Sequence, residues 1–184
     1  MDVLALDLSK RSTGFARHAS GDAKPRHGVW QLGGQFTSMG DVFLKVHRCL
    51  ADECAFGKPD LIAYEEPLLL GPAAGNTTAD TQKLLIGLAM HVESFCAAKN
   101  IPCRPISLAQ WRRWFTPELQ KPRIKNDLGV TIKNPSYDPK GDVIRRCKQL
   151  GLAPESDNDA DALGILSYAR ALEKMVMPWM EGAA

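Results

Sequence analysis

Apolar residues along this chain alternate between two spacings: short near-continuous runs that predict strands, and longer stretches of helical period between and after them. Residues 2–7, with Val3-Leu4-Ala5-Leu6, residues 13–18 (Thr-Gly-Phe-Ala-Arg-His) and residues 27–33 predict an opening three-stranded meander, with turns marked by Gly21 and by Gly33-Gly34. Val42, Leu44, Val46 and Leu50 place a helix over about 38–56, and a strand at 60–65 follows it. Residues 79–98 predict a second helix that is apolar nearly all round, through Leu84, Leu85, Ile86, Leu88, Ala89, Val92, Phe95 and Cys96. Such a helix needs two apolar partners, a sheet on one side and another helix or another subunit on the other.

A short strand at 101–106 then leads into a helix containing Gln110 to Phe115. Residues 116–137, with Pro117, Pro122, Gly129 and Pro135, read as a long loop or a small excursion, and helices over about 140–150 and 157–176 finish the pattern. Three strands followed by alternating helix and strand, with helices last, predict one α/β domain over 1–184 built on a mixed sheet. A content of 45% hydrophobic and 24% charged residues is ordinary for a soluble domain with a sizeable core.

Composition narrows the chemistry. No apolar run approaches the roughly 20 residues that span a bilayer, and the N-terminus lacks a signal-peptide pattern, so a cytoplasmic protein is expected, in a bacterial cell or a phage-infected host. The five cysteines (Cys49, Cys54, Cys96, Cys103, Cys147) are odd in number and scattered, and the four histidines are equally dispersed. Neither a disulfide framework nor a zinc knot is indicated, and a hard-metal oxygen site has little competition.

Charge is polarised along the chain. From Arg112 to Gln149, ten basic residues (Arg112, Arg113, Lys121, Arg123, Lys125, Lys133, Lys140, Arg145, Arg146, Lys148) stand against four acidic ones, giving +6; the total of +2 therefore leaves −4 elsewhere. A cationic stretch beside an acidic site suits a protein that attracts a polyphosphate yet holds metal ions.

The acids lie in three places. Asp7 ends the first strand; Glu65-Glu66 end the strand after the first helix; Asp157-Asn158-Asp159-Ala160-Asp161 open the last helix. Carboxylates at the ends of buried strands repel one another unless a divalent ion sits between them, so metal-dependent phosphodiester chemistry is the first expectation. Alternation along a strand allows one glutamate of the Glu65-Glu66 pair to face a site with Asp7. On the last helix, Asp157 and Asn158 share a face with Asp161, whereas Asp159 points elsewhere and fits a capping-box position with Ser156.

Together the segments Leu6-Asp7-Leu8-Ser9-Lys10-Arg11-Ser12-Thr13-Gly14-Phe15, Ala63-Tyr64-Glu65-Glu66 and Asp161-Ala162-Leu163-Gly164-Ile165 resemble, in this order, the motifs of the RuvC family of Holliday-junction resolvases. The resemblance covers most of the chain except about 116–137. It implies a ribonuclease-H-like fold, a five-stranded mixed sheet flanked by helices. It also implies a structure-selective endonuclease that hydrolyses DNA phosphodiesters at Holliday junctions or other branched DNA with two Mg²⁺ ions, for which Mn²⁺ would substitute. Asp7 would bridge both ions, Glu65 would hold one, and Asp161 with Asp157 or Asn158 would hold the other. The family position three residues before the last aspartate, usually acidic or histidine, is Asn158 here; Asp157, one step earlier, is the alternative. Lys140 falls where a family lysine reaches the scissile phosphate and Arg112 where the family has a basic residue. Lys10, Arg11, Arg113, Lys121, Arg123 and Lys125 complete the expected DNA-binding set.

Bacterial members of the family place an aromatic residue shortly after the catalytic glutamate, and this chain has Leu68, Leu69 and Leu70 instead, as would suit a viral or prophage relative with different branch-point recognition. The resemblance further implies a homodimer, with the 79–98 helix as its interface. Two other readings compete. One is a branched-DNA-binding module with a weakened or inactive site; the other is an actin- or sugar-kinase-like phosphotransferase, which needs two such lobes and a second phosphate loop that the sequence lacks. Trp111, Trp114 and Phe115 are expected in the core.

Overall fold

The structure is a computed structural model that describes residues 1–68, 78–117, 123–125 and 127–175. Its element order is β1 (Val3–Asp7), β2 (Ser12–His18), β3 (Arg26–Gln31), α1 (Met39–Ala55), β4 (Leu61–Glu65), α2 (Ala79–Lys99), β5 (Cys103–Ile106), α3 (Leu108–Phe115), β6 (Arg123–Lys125), β7 (Thr131–Lys133), α4 (Pro139–Gln149) and α5 (Asp157–Leu172). Five strands form one mixed sheet in the order β3-β2-β1-β4-β5. The β1/β2 and β2/β3 pairs are antiparallel, and β1/β4 and β4/β5 are parallel. This is the five-stranded α/β architecture that the sequence leads one to expect.

Side-chain alternation divides the core into two layers. Val3, Ala5, Ala16, Leu61 and Ala63 face α3, α4 and α5, whereas Leu4, Leu6, Ile62 and Tyr64 face α1 and α2. The register aligns Ala5 with Ala16 on one neighbour and with Ala63 on the other, so α5 lies over a patch of short side chains. The helix comes closest to the sheet at Gly14, where a Cβ would stand 1.9 Å from the backbone oxygen of Asn158 on α5. Real van der Waals contact is therefore impossible for any other residue without movement of α5.

Ser38 caps α1, and Thr78 caps α2, each accepting a backbone N–H three residues on. The second apolar partner of α2 is α1, packed beside it in the same layer. Two departures from the sequence expectation are local. The span 116–137, expected as a loop or excursion, contains the two-stranded antiparallel sheet β6-β7. The last helix ends at Leu172 with its cap at Glu173, short of the expected 176, because Lys174 turns the chain to positive φ. None of the helices among the described residues is long and apolar enough to cross a membrane.

Candidate active site

Asp7 and Glu65 occupy the carboxyl ends of two adjacent parallel strands, β1 and β4. Both have odd numbers in strands whose odd positions face α5, which decides the choice between the two glutamates: Glu65 turns toward Asp161, and Glu66 is exposed on the opposite parity. Asp161 lies one turn into α5, with little exposure (7%). Ends of parallel strands at a change of direction are where ligands collect in open α/β sheets. A small cleft lined by Asp7, Leu8, Glu65, Glu66, Pro67, Leu68 and Leu85 opens there.

Local chemistry fixes each acid in place. After β1 the chain turns through Ser9, whose backbone N–H donates to Thr13 Oγ1 (3.1 Å) while Thr13 Oγ1 donates to the Ser9 carbonyl (2.9 Å), and Ser12 N–H donates to Ser9 Oγ (3.2 Å). That turn brings Gly14 back opposite Asp7. Glu65 accepts a hydrogen bond from Trp111 Nε1 at 2.9 Å. Trp111 is fully buried, as expected of a core residue, but it also orients a carboxylate, a role that sequence spacing does not reveal. Its ring fits because Gly164 has no side chain: a Cβ there would stand 2.5 Å from the indole Cζ3.

Ser156 caps α5 by accepting from the Asp159 N–H at 3.2 Å. Asp159, completely buried, accepts in return from Glu155 N–H (2.9 Å) and pairs with His27 Nδ1 (2.9 Å). Its contacts run behind the acid cluster toward β3. The His27 pairing has no sequence signal, since the two residues are 132 positions apart. Asn158 donates its amide nitrogen to the Ser12 carbonyl (2.5 Å) and approaches Ser12 Oγ (2.7 Å), which ties the start of α5 to β2.

The cations lie on the acids. Arg112 donates through one terminal nitrogen to Asp161 Oδ2 at 2.7 Å and rests over the Trp111 ring, 5.2 Å from its centroid. Lys140 pairs with Asp157. Asp138 and Pro139 set the lysine there, the first by capping α4 through the Gly141 N–H and the second by starting the helix. Arg11, Arg113, Arg123 and Lys125 are exposed; Lys10 is half-buried, 3.5 Å from the Gln35 carbonyl. Lys121, Leu69 and Leu70 lie outside the described residues.

Titration follows this geometry. Burial pushes Asp7 well above the ordinary carboxylate range, and the nearby charges of Glu65 and Asp161 push it further. Burial likewise raises Glu65, against the lowering effect of the Trp111 hydrogen bond, and raises Asp161, against the attraction of Arg112. Lys140 moves Asp157 the other way, holding it below the usual range, and Asp157 raises the lysine in turn.

The donor set suits a hard divalent cation: it is all oxygen, mutually repulsive, and includes a buried Asp161 Oδ1 with no hydrogen-bond partner. Among the described residues no three His, Cys, Asp or Glu side chains stand close enough to ligate one ion as arranged. Arg112 on Asp161 and Lys140 on Asp157 instead neutralise the acids internally.

No family model matches the chain, and no curated protein matches it. Solved structures do. RuvC from Thermus thermophilus in complex with a Holliday junction substrate superposes with a TM-score of 0.64 at 16% identity, over 93% of this chain and 96% of that one. Another Thermus thermophilus RuvC structure gives 0.61 at 17% identity, over 95% and 98%. The yeast mitochondrial Holliday junction resolvase Ydc2 gives 0.57 at 15% identity, over 90% of this chain and 75% of that one. The chain thus has the α/β fold of these RuvC and Ydc2 structures, with five strands in its main sheet and five helices among the described residues.

Proposed function

We propose that this protein is a structure-selective endonuclease that hydrolyses phosphodiesters in branched DNA, four-way junctions among them, with two Mg²⁺ ions. The observation that carries this reading is the convergence of Asp7, Glu65 and Asp161 on one face of the sheet, where burial raises all three, the charges of Glu65 and Asp161 raise Asp7 further, and that of Asp161 raises Glu65. Asp7, whose carboxylate responds to both Glu65 and Asp161, would hold the ions together with Glu65, and Asp161 with Asp157 would complete the ligand set. Asn158 is the weaker candidate for the fourth position, because a neutral amide oxygen attracts a divalent ion less than a carboxylate does and its nitrogen ties the side chain to Ser12. Bound divalent ions supply activation of the attacking water and stabilisation of the leaving oxygen.

The protein's own groups do the rest. Trp111 fixes the orientation of Glu65 through one oxygen and leaves the other for ligation. Arg112 and Lys140 neutralise Asp161 and Asp157, and with divalent ions held by those acids the two cations would stand beside them to hold the scissile phosphate. Lys140 is well placed for this, since its side chain is 62% exposed. The basic stretch adds sequence-independent, salt-sensitive affinity. A second copy of the chain would dock on α2, whose outer face carries the exposed pair Ile86 and Met90 at helical i,i+4 spacing, placing two sites on a two-fold axis.

The test uses a labelled four-way junction, a Y-fork and a linear duplex, each with Mg²⁺, with Mn²⁺ or with EDTA. Selective, metal-dependent nicking of the branched substrates is expected. Selective binding without nicking would reduce the protein to a branched-DNA-binding module, and ATP turnover without nicking would favour a kinase-like activity.

A further inference from the structure

The excursion between α3 and α4 contributes only its basic residues to the reading above, and its apolar residues have no part in it. In it β6 and β7 pair as Arg123↔Lys133, Ile124↔Ile132 and Lys125↔Thr131. Alternation gives this ribbon two unlike faces. Arg123 and Lys125 share one face; Ile124 and Ile132 stand opposite each other on the other, with Val130 two residues along the same parity and Leu128 near the turn. Ile124, Ile132, Val130 and Leu128 are 38%, 39%, 56% and 86% exposed, and none belongs to either core. An apolar ribbon face that the core does not cover marks an interaction surface.

Its place in the chain says which partner it meets. Arg112, on the helix before the ribbon, pairs with Asp161, and Lys140, on the helix after it, pairs with Asp157. Both neighbours of the excursion are therefore at the acid cluster. From Lys133 to Lys140 there are seven residues, which limits the separation of their Cα atoms to roughly 25 Å. The face beside the apolar one is cationic, with Asp127 the one acid among the described residues from 123 to 133. Cationic and apolar faces on one slender two-stranded element suit a nucleic acid at a point where bases are unstacked, because phosphates meet the first and base faces the second.

We propose that the β6-β7 ribbon is a branch-point wedge: Leu128, Val130, Ile124 and Ile132 seat against unpaired or unstacked bases at a DNA junction while Arg123 and Lys125 hold the flanking phosphates. This inference rests on the branched-DNA reading above and deepens it, assigning the recognition of the branch to residues outside the acid cluster.

The experiment measures binding by fluorescence anisotropy, in Ca²⁺ without cleavage, to a four-way junction carrying 2-aminopurine at the branch and to a linear duplex of equal length. Wild-type protein is expected to prefer the junction and to raise the 2-aminopurine emission as the base unstacks. The double variant Leu128→Ser, Val130→Ser should lose roughly tenfold in junction affinity, keep its duplex affinity and unfolding temperature, and lose the emission increase. Arg123→Gln with Lys125→Gln should weaken both substrates alike and reduce the salt slope by about 2. An unchanged junction-to-duplex ratio and emission in the serine variant overturns the wedge alone. A serine variant that changes sedimentation from dimer to monomer instead identifies the face as a contact between copies and also overturns it. Wild-type protein without any preference for the junction overturns the reading of the whole site and the wedge with it.

Discussion

Replacing Gly14 by alanine should damage stability and chemistry together, because this position on β2, paired with Asp7, sets how closely the helix carrying Asp161 lies on the sheet. The added Cβ would lie 1.9 Å from the Asn158 carbonyl oxygen and 2.5 Å from its carbon. Carbon–oxygen contacts normally begin near 3.3 Å, so the backbone at the start of α5 must retreat by roughly 1.4 Å. Both obstructing atoms are backbone, and no side-chain rotation relieves them. Overpacking of this kind costs about 1–3 kcal/mol, which for a domain of this size lowers the unfolding temperature by roughly 2–12 °C. The same retreat carries Asp157 and Asp161 away from Asp7, and a displacement near 1 Å at a reacting centre can cost about 100-fold in rate. Thermal unfolding and single-turnover cleavage of a saturating four-way junction with Mg²⁺ read the two effects separately. Gly40→Ala serves as control, since its Cβ meets nothing nearer than 3.9 Å. A Gly14→Ala protein with wild-type unfolding temperature and wild-type cleavage would refute the reasoning.

Three further outcomes follow from the geometry. Trp111→Phe removes the donor to Glu65 and with it the influence that lowers the Glu65 pKa, so the acidic limb of the pH–rate profile should move to higher pH and cleavage at neutral pH should fall by roughly tenfold. In EDTA, Asp7, Glu65 and Asp161 have folded pKa values raised above their unfolded ones, so the native state binds more protons and stability falls as pH rises from the ordinary carboxylate range through the raised values. Asp7→Asn should flatten that fall and stabilise the metal-free protein near neutral pH, on the order of a kcal/mol or more, as measured by denaturant titration across pH. Asp157→Asn should cost much activity and little stability, whereas Asp159→Asn, which disturbs buried bonds to His27 and to the Glu155 N–H, should cost about 1–3 kcal/mol of stability and less of the chemistry. Equal effects on both measurements would contradict the assignment of Asp159 to the scaffold.

What the sequence discloses is what depends on local period. Alternation alone sends one of two adjacent glutamates to the face of Asp7, and helical spacing separates Asp161 from Asp159. The five sheet strands and five helices follow from runs long enough for period 2 and period 3.6 to differ. The β6-β7 ribbon is three residues a side, too short for either period to show, and prolines and a glycine in its surroundings read as loop. Contacts between distant segments are equally silent. That Trp111 reaches Glu65 depends on how closely α3 packs on α5, and that packing depends on Gly164, fifty-three positions further on. Charge counting along the chain locates a basic stretch, but its sum of +6 cannot tell that Arg112 and Lys140 lie on the acids rather than in solvent. Asn158, a departure from the RuvC pattern in the sequence, proves to be a brace between α5 and β2.

The most direct measurement of the proposed chemistry is the rate at which the protein nicks a labelled four-way junction in Mg²⁺, compared between wild type and Asp7→Asn. Asp7 is raised well above the ordinary carboxylate range, by burial first and then by the charges of Glu65 and Asp161, and the account predicts a loss of about a thousandfold or more with junction binding retained. Undiminished nicking by the Asp7→Asn protein would contradict it.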